Sequence, residues 1–334
     1  MGFCKRLVAL LLIALLLPVS VGGWGYEGHI WVNQVAAGKI PREMPSFFRK
    51  ERMLLAYLGY EPDRWRDSRE VSLRNFQAPD HFIDFEQVAD LSELPRERYK
   101  FYQLLYEKRA AAHGDPNAQP DELLPEGVGV QPYITMEVYE RLRAAFREYR
   151  ALKQENKRTV EVEKKIVFYG GWLGHYVADG AQPMHTSIHH HGWVGENPNQ
   201  YTTDGKIHAQ FESVYVAANL KVQNFEDLVQ APVRLSDPFA DYMKYLRESN
   251  QLIEELYRLE KTGAFAGPGT PAGHEFTRRR LAAGSQMLLN LWFTAWLQSA
   301  DPAPPQPPAS PDTTPPPKYP MAPLPKATQP PATK

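Results

Sequence analysis

Two histidine–carboxylate pairs with four-residue spacing carry the most chemistry in this sequence: His175 with Asp179, and His208 with Glu212. On an α-helix that spacing stacks both side chains on one face. Imidazole nitrogen and carboxylate oxygen together suit zinc. His185 lies just past the end of the first helix as a further ligand candidate. One such pair alone reads as an ordinary helix-surface pair. Clustered together, these residues read as a metal centre built from helices with a hydrolase around it.

More candidates lie towards the N-terminus. His29 follows Trp24-Gly-Tyr-Glu-Gly28, Asp63 sits in Glu61-Pro-Asp63-Arg-Trp-Arg66, and His81 sits in Ala78-Pro-Asp-His81-Phe-Ile-Asp84. Asp67 competes with Asp63 by position. Residues 1–23 read as a secretory signal: Lys5 and Arg6, an apolar run over 7–17, then small residues including Val21 and Gly23. The run is too short for a spanning helix, so a secreted or periplasmic location is expected. Cleavage after Gly23 would make Trp24 the first residue, and its α-amino group could bind metal once deprotonated. Cys4, the single cysteine, falls inside the signal, so the mature chain would hold no disulfide in an oxidising compartment.

The elements that must position these residues read as helices. Helical patterns cover residues 30–37, 45–58 with a Gly59 stop, 97–113, 135–154, 160–181, 208–218, 241–260 and 276–297. Residues 25–28 read as a turn, and a polar loop with Pro and Gly runs to Pro132. No segment alternates as a strand should. The expected fold is all-α: one multi-helix domain over residues 24–300 with irregular loops. Residues 301–334, rich in Pro, Ala and Thr, read as a disordered tail. A net charge of −1 leaves no polybasic footprint of a duplex binder. The aromatic run Trp292–Trp296 reads as core. His189, His190 and His191 sit in a loop with Gly, Asn and Pro and read as solvated or substrate-facing.

The order of these pieces resembles the zinc-dependent phospholipase C and single-strand-specific nuclease superfamily, the fungal nucleases included. The specific match is His-x-x-x-Asp-x-x-Gln-Pro-x-His at 175–185, followed by His-x-x-x-Glu at 208–212. Trp-Gly-x-x-Gly-His, Asp-x-x-Arg and His-Phe-x-Asp complete it between Trp24 and about Leu297. The resemblance implies three zinc ions. Asp63, His81 and His175 would hold one, with Asp179 bridging to a second held by the Trp24 amino and carbonyl groups and His29. His185, His208 and Glu212 would hold the third. Asp63 is preferred to Asp67 because Arg66 then stands where the nucleases place an arginine near the scissile phosphate. Glu212 matches the phospholipases, whereas the nucleases usually show Asp. The step from Trp24 to His29 and the gap from His185 to His208 match the nucleases. The stretch between His81 and His175, with its loop over 116–129, looks like an insertion.

Zinc lowers the pKa of bound water to about 7, which supplies hydroxide for attack on phosphorus. Arg66 would offset charge on the non-bridging oxygens, and Asp179 would be central to catalysis. Phe82 and Asp84 could form a pocket in which the ring stacks on a base and the carboxylate accepts from its N–H groups. The expected activity is an exported zinc-dependent endonuclease cutting single-stranded DNA or RNA to 5′-phosphate products, acting as a monomer. A phospholipase C acting on phospholipid head groups is the alternative enzyme, and a non-catalytic zinc-binding protein is the alternative of another class.

Overall fold

A helix whose last turns are wholly buried must find partners for its terminal carbonyls inside the protein. That condition governs how this chain is assembled. The computed structural model describes residues 24–90, 93–112 and 120–302. The expected signal over 1–23, most of the tail, and His113 lie outside the described residues. A compact unit ends at Ala300.

The described residues are all-helical, with a single isolated bridge between His190 and Gly192 and no strand. The helices are α1 (Gly25–Gly38), α2 (Ser46–Lys50), α3 (Arg52–Leu58), α4 (Glu61–Arg66) and α5 (Val71–Gln77). After these come α6 (Arg98–Ala112), α7 (Gln131–Gln154) and α8 (Val160–Ala181). Residues 206–219 form α9, which is α-helical at Lys206–Ala209 and Val216–Asn219 and π-helical across Gln210–Tyr215. Then follow α10 (Pro238–Asn250), α11 (Ile253–Lys261) and α12 (Pro271–Gln298). No helix among the described residues is long and apolar enough to cross a membrane.

Several boundaries differ from the sequence pattern. The expected turn at 25–28 is the first turn of α1, with Gly25 at φ +57° opening it. The expected helix over 45–58 breaks at Glu51, and the expected helix over 241–260 breaks at Gln251 and Leu252. The polar stretch before Pro132 holds a helical turn at Pro125–Val128, and α4 and α5 are additional short helices.

Helix α8 is the centre of the unit, packed against α7, α12, α3 and α1. Its start carries Glu161 and Glu163, which suit the positive end of the helix dipole. From Leu173 to Ala181 every residue is buried. Each carbonyl of the last turns has a partner. Gln131 Nε2 (2.5 Å) and Tyr242 Oη (3.1 Å) donate to Tyr176 O, and Tyr245 Oη donates to Val177 O at 2.7 Å. The Trp24 indole donates to Ala178 O at 2.7 Å, and Ser249 Oγ to Gly180 O at 2.6 Å. Arg280, itself buried, donates to Ala181 O at 2.7 Å, which places a positive charge at the negative end of the dipole. These caps come from α7, α10, α12 and the chain before α1, so α8 is tied to nearly the whole unit.

Close helix approach needs glycine. A Cβ at Gly174 would fall 1.9 Å from Asn33 Oδ1, whose amide nitrogen donates to Leu55 O and Gly171 O. Trp292, expected in the core, is fully buried and donates to Gly170 O at 3.0 Å. Trp296, half-buried, covers Phe146 and carries the Arg150 guanidinium 3.4 Å from its ring centroid. Substituting Gly174→Ala should lower unfolding free energy by about 1–3 kcal/mol through overpacking at the α1–α8 contact. Urea denaturation checks this, and an unchanged midpoint would show that the contact relaxes freely.

Candidate metal centre

Five histidines and three carboxylates meet where α1, α4, α8, α9 and two short 3₁₀ turns converge. They fall into three groups: His29 with His175 and Asp179; Asp63 with His81 and His175; and His185 with His208 and Glu212. Within each group the ligand atoms lie within 4.8 Å of one another. All eight side chains are buried.

The local sequence explains how each arrives. The four-residue step puts His175 and Asp179 on one face of α8, with Nε2 3.2 Å from Oδ2. Pro183 starts the turn that carries His185. Pro79 starts the turn ending at His81, whose Nδ1 lies 3.0 Å from Asp179 Oδ2 and 3.0 Å from His175 Nε2. His29 stacks on His175, with ring centroids 4.0 Å apart, and its Nε2 is 3.3 Å from Asp179 Oδ1. Glu212 sits in the π-helical stretch of α9, a conformation that often marks functional sites. Its Oε2 lies 2.8 Å from His208 Nε2 and 3.4 Å from His185 Nε2.

Backbone carbonyls fix the ring orientations. His175 Nδ1 is 2.8 Å from Gly59 O, His185 Nδ1 is 2.8 Å from His81 O, and His208 Nδ1 is 2.8 Å from His190 O. A carbonyl only accepts, so each Nδ1 carries a proton and each Nε2 is left facing the cluster. Gln182, also buried, completes the third group: its amide donates to Glu212 Oε2 at 3.1 Å, while its carbonyl accepts from Met184 N.

A cation fits this arrangement. His29 Nε2, Asp63 Oδ2, Asp179 Oδ1 and Glu212 Oε1 are buried at the cluster without a hydrogen-bond partner. Buried polar atoms in such number are costly unless something binds them. Nitrogen and oxygen donors in groups of three match zinc better than calcium or magnesium.

The charges are set for ligation. Burial opposes ionisation of Asp179, but His185, His175 and His29 hold its carboxyl well below the usual range. Asp63 is likewise lowered by His175, Arg66 and His81 against burial. Glu212 is also opposed by burial, and His208 and His185 bring it down to about 2. Burial lowers His29, with His175 adding to it, and burial lowers His81 to about 4, so both rings are neutral donors near pH 7. His185 runs the other way. Burial is outweighed by Asp179 and Glu212, and its value rises to about 9.

The other expected residues are placed as follows. Arg66 Nη2 lies 2.8 Å from Asp63 Oδ1 at the edge of the cluster. Asp67 is exposed and contacts Arg66 instead of the histidines. Trp24 is buried one turn before His29, its ring 5.4 Å from Phe211, and its indole is fastened beside Asp179 through Ala178 O. Phe82 is half-buried, 6.1 Å from the His190 ring. Asp84 is buried, with Oδ1 making no hydrogen bond and lying 3.8 Å from His190 Nδ1, and burial followed by Glu86 pushes its carboxyl up to about 8. Among the described residues, His189, His190 and His191 join none of the three groups. His189 stacks on Trp193 at 4.0 Å, and His191 lies 5.3 Å from His208. The carbonyl acceptors Gly59, His81 and His190 have no sequence signal, since any residue supplies a carbonyl.

Adding zinc to chelated protein at pH 7 should expel about one proton or more. The metal-free value of about 9 leaves His185 protonated there, and zinc takes the neutral ring. His175, raised by Asp179 and Asp63 against burial, adds to the release. The release should fall away as pH rises past 9. Calorimetry in buffers of different ionisation enthalpy reads it, and no release at pH 7 would mean that the rings are already neutral.

No family model matches the chain, and no curated protein matches it. Two solved structures are distantly similar. The alpha toxin from Clostridium absonum is 12% identical at a TM-score of 0.41, over 84% of this chain and 65% of that chain. The Clostridium perfringens alpha-toxin isolated from avian strain SWCP is 12% identical at 0.34, over 84% of this chain and 64% of that chain. The chain therefore spans less than two thirds of either toxin's length.

Proposed function

We propose that this protein is a metal-dependent hydrolase of phosphodiester bonds that holds three zinc ions. The supporting observation is the single buried cluster in which Asp179 adjoins all three ligand groups, with Arg66 at its edge. Asp63, His81 and His175 would hold one ion. His29, Asp179 and the backbone of Trp24 would hold a second, and His185, His208 and Glu212 the third. Bound zinc supplies Lewis-acid stabilisation of phosphoryl charge and a water acidic enough to deprotonate near neutral pH.

The chain's own residues prepare the rest. Arg66 keeps its charge: burial works against it, but Asp63 and Asp67 hold it protonated. Its planar fork suits two phosphoryl oxygens, and the 2.8 Å contact with Asp63 orients it. The three carboxylates stay ionised, and the carbonyls of Gly59, His81 and His190 keep three rings from turning.

Two phosphodiester classes suit the surroundings. Phospholipid is favoured by exposed apolar side chains on helices that flank the cluster: Met53, Leu54 and Tyr57 on α3, and Tyr26 on α1, whose ring meets Tyr60, itself 6.1 Å from His29. Exposed apolar side chains of this kind mark interaction surfaces. Single-stranded nucleic acid is favoured by Phe82 beside Asp84, a ring for stacking next to a carboxyl for the base edge. Export through residues 1–23 and action as a monomer belong to the same proposal.

The test is hydrolysis of phosphatidylcholine vesicles, single-stranded DNA and RNA by protein beginning at Trp24, with and without zinc. Asp179→Asn should cost about 100-fold or more in rate on the true substrate. Phe82→Ala should raise KM by roughly 10-fold on nucleic acid alone, as expected from losing one stacked base. Leu54→Ser with Tyr57→Ser should weaken action on vesicles alone. Zinc-loaded protein silent on every phosphodiester would favour a non-catalytic zinc-binding protein.

A further inference from the structure

The stretch between His81 and His175 that resembles an insertion is bound to the segment carrying His81. Val130 N donates to Pro79 O at 2.8 Å, and Gln131 N donates to Phe82 O at 3.1 Å. Asp84 N donates to Val128 O at 2.8 Å. From the other side, Ile83 N donates to His185 O at 3.0 Å, and His185 Nδ1 donates to His81 O. Residues 79–84 are therefore held between the metal cluster and the inserted stretch. Arg98 of α6 carries charge into that contact. Arg98 Nη2 lies 3.1 Å from Asp80 Oδ1, and its Nη1 lies 3.6 Å from Glu137 Oε2 on α7. Asp80 is buried and immediately precedes His81.

We propose that Arg98 is a positioning residue for the metal group of Asp63, His81 and His175, acting through Asp80. The guanidinium ties α6 and α7 to the turn that presents His81, and so sets where Nδ1 of that ring stands relative to Asp179 and His175. A partner that orients a ligand from behind commonly changes metal affinity by about 10- to 100-fold when removed. The group of His185, His208 and Glu212 has further supports in Gln182 and His190 O, and meets the 79–84 segment only through backbone contacts of His185 with His81 O and Ile83 N. Loss of Arg98 should therefore act more strongly on the group that contains His81 than on this one. The inference rests on the metal-centre reading but not on the substrate.

The experiment is cobalt and zinc titration of the full chain and of its Arg98→Ala, Arg98→Lys and Asp80→Asn variants, with competition by a chelator. Cobalt absorption resolves classes of site, and circular dichroism verifies folding. Arg98→Ala and Asp80→Asn should each weaken one class by about 10-fold or more and a second class by clearly less, and Arg98→Lys should restore part of the loss. Equal loss of thermal stability with and without metal, and unchanged affinities, would overturn the proposal and leave the pair as ordinary surface stapling. Equal weakening of all classes would also overturn it. If the unsubstituted chain binds no metal, it is the metal-centre reading that fails. If Arg98→Ala does not fold, Arg98→Lys and Asp80→Asn carry the test.

Discussion

A fully buried negative charge at Asp179 is what the rest of the structure answers to. Its oxygens lie within 3.0–3.7 Å of nitrogens from His29, His81, His175 and His185. A carboxylate taken out of water is costly unless positive charge or strong donors surround it. The surrounding histidines supply part of that, and the metal-free protein protonates His185 to supply more. A cation among the ligand groups would satisfy the carboxylate and the ring nitrogens that face it together.

The same demand explains why α8 ends in the interior. To hold Asp179 at depth, the helix must carry its last carbonyls in with it, and those carbonyls then need donors. They receive them from Gln131, Tyr242, Tyr245, Trp24, Ser249 and Arg280. The apolar core thus encloses a polar framework whose members are chosen for reach and hydrogen-bonding capacity. Carbonyls from three loops do the complementary task of turning the histidines, so that irregular backbone serves as the second layer of the site.

The ligand pairs were legible because helical periodicity makes four-residue spacing a statement about space. Asp63, His81 and His29 were legible only through order and resemblance, since nothing local shows that three distant segments converge. Two apparent helices proved to be split. Across the second break the buried positions Leu246, Ser249, Ile253 and Leu256 keep helical spacing, so periodicity runs straight through it. What breaks it is tertiary: Asn250 donates to Thr186 O and to Glu86, and the chain turns at Leu252. The π-helical turn around Glu212 was equally hidden, because five-residue hydrogen bonding leaves no compositional mark. Short α4 leaves no readable periodicity because its six residues span fewer than two turns, yet it presents both Asp63 and Arg66.

The capping of α8 bears on the order of events in folding. The donors at its end are separated from it along the chain by as much as Trp24 on one side and Arg280 on the other. Contacts of such sequence separation close large loops and form late. Half-folded chain can therefore hold the paired residues of one helix, but not the assembled cluster. The full cluster, which includes His29 of the first helix, is complete only when these distant segments have docked.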